Sequence, residues 1–151
     1  MAESPISQFK RALEDLPAQK GQVLSWTLTG SVDNAGQRWL DIRLSGFVVL
    51  VCQRCLQAFD YHIDTENRVL VVDNELELEV DAEDPDAPER ILASTHLNGL
   101  DLIEDELILS LPYVPRHDMC PEPPAALQSQ DEDADDEKPN PFAVLKQLKK
   151  S

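Results

Sequence analysis

The run FVVLVCQRCLQAFDYHI, residues 47–63, sets two strands about a pair of thiols. Phe47 to Val51 is an unbroken apolar, largely β-branched stretch, the pattern of a buried strand. After Cys52-Gln53-Arg54-Cys55, the apolar residues Phe59, Tyr61 and Ile63 alternate with Asp60, His62 and Asp64, as in a strand with one buried face. The flanks therefore place the two cysteines on a turn between strands. Redox cysteines of thioredoxin type stand at the head of a helix, whose dipole lowers their pKa.

The same alternation extends upstream. Leu24, Trp26 and Leu28 alternate within residues 22–32, and Leu40, Ile42 and Leu44 within residues 37–44. Asp33-Asn34-Ala35-Gly36 between them is a turn signal, so the two runs form a hairpin. Gly46 marks a bulge or a break before the next strand. Ser4-Pro5 starts a short N-terminal helix, with Ile6, Phe9 and Leu13 on one stripe and Pro17 as its stop.

Downstream, Val69–Val72 reads as a strand, Glu75–Val80 as a half-exposed one, and Ile91-Leu92 as a short one. Asn98 caps a helix over about residues 99–111, with Leu100, Ile103, Leu107 and Leu111 on one stripe. Leu102 and Leu109 lie nearly opposite, which predicts cover on two sides. Pro112 ends it, and residues 112–124 hold five prolines.

These elements predict an α+β fold. Its sheet is mainly antiparallel and partly closed as a barrel, with one long packed helix and a short N-terminal one. Residues 1–124 form the domain, residues 125–140 an acidic, disordered linker, and residues 141–150 a short basic amphipathic helix. On that helix Phe142, Leu145 and Leu148 share a stripe opposed by Lys146, Lys149 and Lys150.

The chain has 151 residues and a formal net charge of −16. The acidity is uneven. Residues 1–72 carry eight acidic and seven basic side chains, residues 73–128 fifteen and two, and residues 129–151 six and four. Such a balance excludes a broad phosphate-gripping face. It leaves room for RNA at the cysteine turn or the tail, and it favours a basic protein partner. No apolar run is long enough to span a bilayer. The first residues lack a signal peptide's apolar stretch, which predicts a cytoplasmic protein with reduced thiols.

Cys52 and Cys55 have the spacing of a zinc half-site, which requires a second pair of ligands. His117-Asp118-Met119-Cys120 supplies one, so Cys52, Cys55, His117 and Cys120 are the candidate metal ligands and zinc the candidate ion. His62 alternates with core residues and His96 stands alone. Arg54, at the tip of the turn, is the basic residue best placed to touch a partner. Phe142, Leu145 and Leu148 suit a partner's groove, with Lys146 and Lys149 beside them. The alternative is a metal-dependent or thiol-based enzyme, built on the CxxC or on the Asp101–Glu106 carboxylates. No base, nucleophile or basic clamp accompanies those carboxylates, and no catalytic residue is assigned.

The motifs in this order resemble the bacterial large ribosomal RNA accumulation protein family (YceD). The resemblance rests on Cys52-Gln53-Arg54-Cys55-Leu56 with Phe59, and on the run from Asp101 to Leu109 followed by Leu111-Pro112, Pro115 and His117-Asp118. It rests most specifically on Lys138-Pro139-Asn140-Pro141-Phe142-Ala143-Val144-Leu145. It spans roughly residue 20 to the C-terminus. What it implies is a part in the synthesis, processing or stability of large-subunit (23S) ribosomal RNA. The implied partners are ribosomal RNA or a basic ribosome-associated protein.

Overall fold

The computed structural model describes residues 1–80 and 83–121. A single five-stranded sheet runs in the order β1-β2-β3-β4-β5, which is also the order in sequence. The strands are β1 (Ala2–Pro5), β2 (Val23–Val32), β3 (Arg38–Val51), β4 (Ala58–Val72) and β5 (Arg90–Leu92). The first three pairings are antiparallel. β5 joins β4 in parallel, so the sheet is mixed.

β3 and β4 dominate. They pair without a slip from Arg38↔Val71 to Val51↔Ala58. One face carries Leu40, Ile42, Leu44, Val48 and Leu50 from β3, with Ile63 and Val69 from β4, all buried. Three helical pieces matter to that face: a 3-10 turn (Ile6–Gln8), α1 (Lys10–Leu13) and α3 (Gly99–Ser110). They press Ile6, Phe9, Ala12, Ile103 and Leu107 into one apolar cluster with it. Burial of such side chains contributes roughly 1.5–3 kcal/mol each.

The packing of α3 brings a carboxylate into the apolar layer. Glu104 is only 6 % exposed. Its Oε1 accepts the backbone N–H groups of Arg11 (2.6 Å) and Ala12 (3.2 Å), and its Oε2 accepts the Arg11 Nε (2.8 Å). A residue remote in sequence thus caps the four-residue α1, which has no side-chain cap of its own at Phe9. Arg11 also reaches Asp105.

The expected α+β fold with a partly closed barrel and one long packed helix is corrected by this architecture. The sheet is open, because both terminal strands are short and neither reaches the other. It is also mixed where a mainly antiparallel sheet was expected, because β5 joins β4 in parallel. Among the described residues only α3 exceeds four helical residues, and it has 12. Its second apolar side is not covered at Leu109, which is exposed.

Four local expectations also change. Ser4-Pro5 ends β1, and helical structure starts one residue later than expected: Pro5, not Ser4, is the N-cap of the 3-10 turn Ile6–Gln8. The edge of β2 takes up the backbone of Ala2–Pro5, and Ser4 Oγ accepts the Trp26 Nε1–H at 3.1 Å. Gly46 neither bulges nor breaks the strand but lies within the continuous β3. The two runs around Ile63 and Val69 are one strand, since Thr65 and Asn67 continue the inward-facing row with polar side chains. Glu75–Val80 is not a strand: residues Glu75–Leu78 form a helical turn, α2. There Asn74 accepts the Glu77 N–H at 3.1 Å, and acidic residues suit a helix N-terminus. Leu76 remains 79 % exposed, so the alternation had no surface to pack on.

Gly46 has a φ of +150°, and a Cβ there would lie 2.5 Å from Leu24 Cδ2, a fully buried core atom. Gly46→Ala should therefore destabilise the fold by at least about 2 kcal/mol in denaturant titration. An unchanged midpoint would contradict this packing.

Glu104 gives a second expectation. Burial pushes its pKa up, but the Arg11 guanidinium and the N–H groups of Ala12 and Arg11 outweigh that and hold it below the usual value. A lowered folded pKa stabilises above the usual carboxylate value and is lost as pH falls through the folded one. Glu104→Gln, which turns a donor toward Arg11, should cost about 2 kcal/mol at neutral pH. Unfolding curves of the two proteins should converge with acidification. A constant difference across the acid range would show that the carboxylate charge contributes nothing.

Candidate metal centre

The turn between β3 and β4 is six residues long, Cys52 to Gln57. Its ends are tied by the Cys52 N–H to the Gln57 carbonyl (2.9 Å), and the Leu56 N–H bonds back to the Cys52 carbonyl (2.8 Å). Leu56 adopts a left-handed φ of +61°, which folds the chain back on itself after Cys55. Both thiols end up buried although the turn's polar residues are exposed.

The chain after α3 comes to this turn. The Gln53 N–H donates to the Pro115 carbonyl at 2.9 Å, so a backbone bond holds the post-helix segment in place. His117 follows, its ring packed against Phe59 with centroids 4.6 Å apart. Cys120 stands three residues on.

Cys52, Cys55, His117 and Cys120 converge, their ligand atoms all within 4.8 Å of one another. Cys52 Sγ lies 3.6 Å from Cys120 Sγ, and His117 Nδ1 lies 3.3 Å from Cys55 Sγ and 3.8 Å from Cys120 Sγ. In a tetrahedral site with ordinary zinc bond lengths, sulfur–sulfur edges are ~3.8 Å and sulfur–nitrogen edges ~3.5 Å. The donor set is thus spaced as one small tetrahedral ion requires. It is the only such His/Cys/Asp/Glu group among the described residues, and it can hold a metal ion. His62 and His96 stay apart from it, His62 against the Phe47 ring and His96 beside Thr95.

The electrostatics of the two turn cysteines differ. Burial pushes the Cys52 thiol up, but the backbone N–H groups of Cys55, His117 and Arg54 turn toward its sulfur and pull it down to about 5. Burial pushes Cys55 up, and its bonds to Cys52 and Cys120 raise it further. The amides of the turn thus favour negative charge on the sulfurs. Metal ligation requires the thiols to lose their protons.

Arg54 turns toward the cluster. Its Nε donates to Cys120 Sγ at 3.0 Å and its terminal nitrogen to the His117 carbonyl at 3.3 Å. The guanidinium joins the two loops and sets a positive charge beside the sulfurs. Its side chain is still at the surface. The Pro115 carbonyl is a contributor that sequence reasoning missed, and a backbone acceptor leaves no mark in side-chain spacing. Phe142, Leu145, Leu148, Lys146 and Lys149 lie outside the described residues, as do the linker and terminal helix expected over 125–140 and 141–150.

The carboxylates of the Asp101–Glu106 run are not gathered into a site. Glu104 and Asp105 are held by Arg11, and Glu106 accepts from Asn67 at 3.2 Å. Trp39 is likewise engaged. Its Nε1 donates to Asp33 at 2.9 Å, and the Arg68 guanidinium lies 4.7 Å from its ring centroid. The arginines beside it are paired with acids, Arg43 with Glu66 and Arg68 with Asp41. Among the described residues no helix is long and apolar enough to cross a membrane.

No solved structure matches this chain. A family model described as large ribosomal RNA subunit accumulation protein YceD matches residues 40–149, which take in the β3–β4 hairpin except Arg38 and Trp39, together with α3 and the four clustered Cys and His residues. The chain belongs to the YceD family of large ribosomal RNA subunit accumulation proteins.

Proposed function

We propose that this chain is a non-enzymatic accessory protein in the synthesis, processing or stability of large-subunit ribosomal RNA, acting in the cytoplasm through contacts with protein or RNA. The observation that carries the reading is the family match over residues 40–149, with its implied role in rRNA accumulation. Engagement of Glu104, Asp105 and Glu106 in internal bonds favours it over an enzyme built on those carboxylates.

In this reading Cys52, Cys55, His117 and Cys120 hold zinc. The bound ion would act as a structural cross-link between the β3–β4 turn and the segment after α3. His117 would present Nδ1, kept in place by Phe59. Arg54 would offset the surplus negative charge of three thiolates, and its exposed face remains available to a partner. Residues 1–124 serve as the domain and residues 125–140 as a spacer of long reach. The basic segment 141–150 offers Phe142, Leu145 and Leu148 to a groove, with Lys146 and Lys149 toward acidic groups, on ribosomal RNA or on a ribosome-associated protein.

Protein purified without chelator should carry close to one equivalent of zinc by elemental analysis. Less than about a tenth of an equivalent would overturn the zinc reading. Cys52→Ser should lose the metal and lower the Tm, and acidification should release the ion as its ligands take up protons.

Affinity capture from a lysate, with and without ribonuclease, should return large-subunit components by mass spectrometry. Removing residues 139–151 should abolish that capture and leave the unfolding midpoint unchanged. A truncated protein that still captures the same components would exclude the tail as the contact. Depletion of the protein without any fall in large-subunit RNA would overturn the accessory role itself.

A further inference from the structure

β4 is 15 residues long, but its neighbours cover it unequally. β3 pairs with it from Ala58 to Val71, whereas β5 meets it only at Leu70, Val71 and Val72. Among the described residues no strand lies beside the outer edge from Ala58 to Arg68.

Two bonds show which backbone groups face that edge, the first being the Ala93 N–H to the Val72 carbonyl at 2.7 Å. The Leu70 N–H donates to the Glu89 carbonyl at 2.8 Å, away from β3. Amide and carbonyl of one residue point to the same side of an antiparallel strand, and the side alternates along the chain. The register has no slip, so Asp60, His62, Asp64, Glu66 and Arg68 face outward as Leu70 does. The Arg68 N–H is taken by the Asn67 side chain at 2.8 Å. Those of Asp60, His62, Asp64 and Glu66 find no partner among the described residues.

A groove of about 480 Å³ runs beside the first part of this edge, between Phe59–His62 and Arg116–Met119. Its two sides differ in chemistry. On the solvent face Asp60 lines the groove, with Asp118 and Arg116 across it, and Asp64 and Glu66 follow farther along the same edge. Lys20 and Arg43 pair with Asp60 and Glu66, but those partners are all more than half exposed, where ion pairs are weak and exchangeable. Asp64 has no ion pair among the described residues. On the other face Phe59, Tyr61 and the exposed Met119 offer apolar surface.

We propose that the open edge of β4 over Asp60–Glu66 binds an extended segment of a partner protein as an added strand, one with Lys or Arg alternating with apolar residues. Residues opposite each other across paired strands share a face. The cations would then lie against Asp60, Asp64 and Glu66, and the apolar residues against Phe59, Tyr61 and Met119. The backbone bonds would supply affinity, and the alternating side chains selectivity. A net charge of −16 steers such a segment toward the protein. The inference rests on the reading that this chain works through a protein partner, but it concerns a surface separate from residues 141–150.

The test uses the full-length protein and a blocked nine-residue peptide of alternating lysine and valine. Amide hydrogen exchange is followed residue by residue by NMR. The peptide should slow exchange at Asp60, His62, Asp64 and Glu66 at least about tenfold, since an open edge lies at the unprotected end of the range. It should leave Phe59, Tyr61, Ile63 and Thr65, already bonded to β3, unchanged. Added salt should weaken binding, and a glutamate–valine peptide should not bind. His62→Pro removes one outward donor without touching the β3 ladder and should reduce affinity about tenfold or more. If that variant unfolds, Asp64→Asn with Glu66→Gln should weaken the lysine peptide instead. Protection elsewhere, equal binding of the glutamate peptide, or protection without peptide that grows with protein concentration would overturn the proposal. The last outcome would assign the edge to a second copy of the chain. None of these results bears on whether depletion lowers large-subunit RNA.

Discussion

The uninterrupted register of β3 on β4 is the constraint from which the rest follows. Fourteen pairs hold without a bulge, so every side chain on both strands is assigned to one face or the other over the full length. A slip of one residue would turn Leu40, Ile42, Leu44, Val48 and Leu50 out of the core together. The same register brings Val51 opposite Ala58 and so fixes the width of the turn that carries the two thiols. It also fixes which amides of β4 are left facing away from β3. Core, metal-ligand turn and open edge are three consequences of one alignment. Gly46 is the point where the alignment is most exposed to substitution, because Leu24 occupies the space a side chain would need.

The apolar face is completed by helical pieces too short to be stable alone. A four-residue helix has no fully formed ladder, and nucleation of helix is unfavourable. α1 persists because Glu104 of α3 supplies the acceptors its first amides lack. The buried charge is tolerable because Arg11 meets it at 2.8 Å and the backbone amides satisfy its other oxygen. The carboxylate therefore belongs to the assembly of the core, and its neighbour Asp105 adds to the same guanidinium. A run of acids on a helix that looks like a reactive cluster in sequence is, in space, divided among separate partners.

How far the molecule was legible in its sequence follows from what each pattern encodes. Strict alternation located β2, the first part of β3 and the start of β4, because those residues meet a single buried face. Asn98 located the start of α3, since its side chain accepts the Leu100 N–H. The pairing of Cys52 and Cys55 with His117 and Cys120 was legible from ligand chemistry alone, although the loop that carries the second pair could not be positioned. Alternation misled at Glu75–Val80, where a capping asparagine outweighed it. The inner row of β4 was hidden because Thr65 and Asn67 interrupt its apolar pattern, and Asn67 is placed there to bond Glu106 and Glu89. Closure of a barrel depends on the two ends of the sheet meeting. With terminal strands of four and three residues there is too little edge at either end to do so.

The distribution of charge takes its meaning from these placements. The cations of the near-neutral first half are largely committed: Arg11 to Glu104 and Asp105, Arg38 to Asp73, Arg43 to Glu66, Arg68 to Asp41. A sheet face whose arginines already answer carboxylates, and whose Trp39 lies under one of them, offers little to a phosphate backbone. Arg54 differs from these arginines in facing sulfur rather than a carboxylate. A divalent ion held by three thiolates and one imidazole would carry a net charge of −1, which the guanidinium beside Cys120 would balance. The net charge of −16 favours cationic partners over a phosphate backbone.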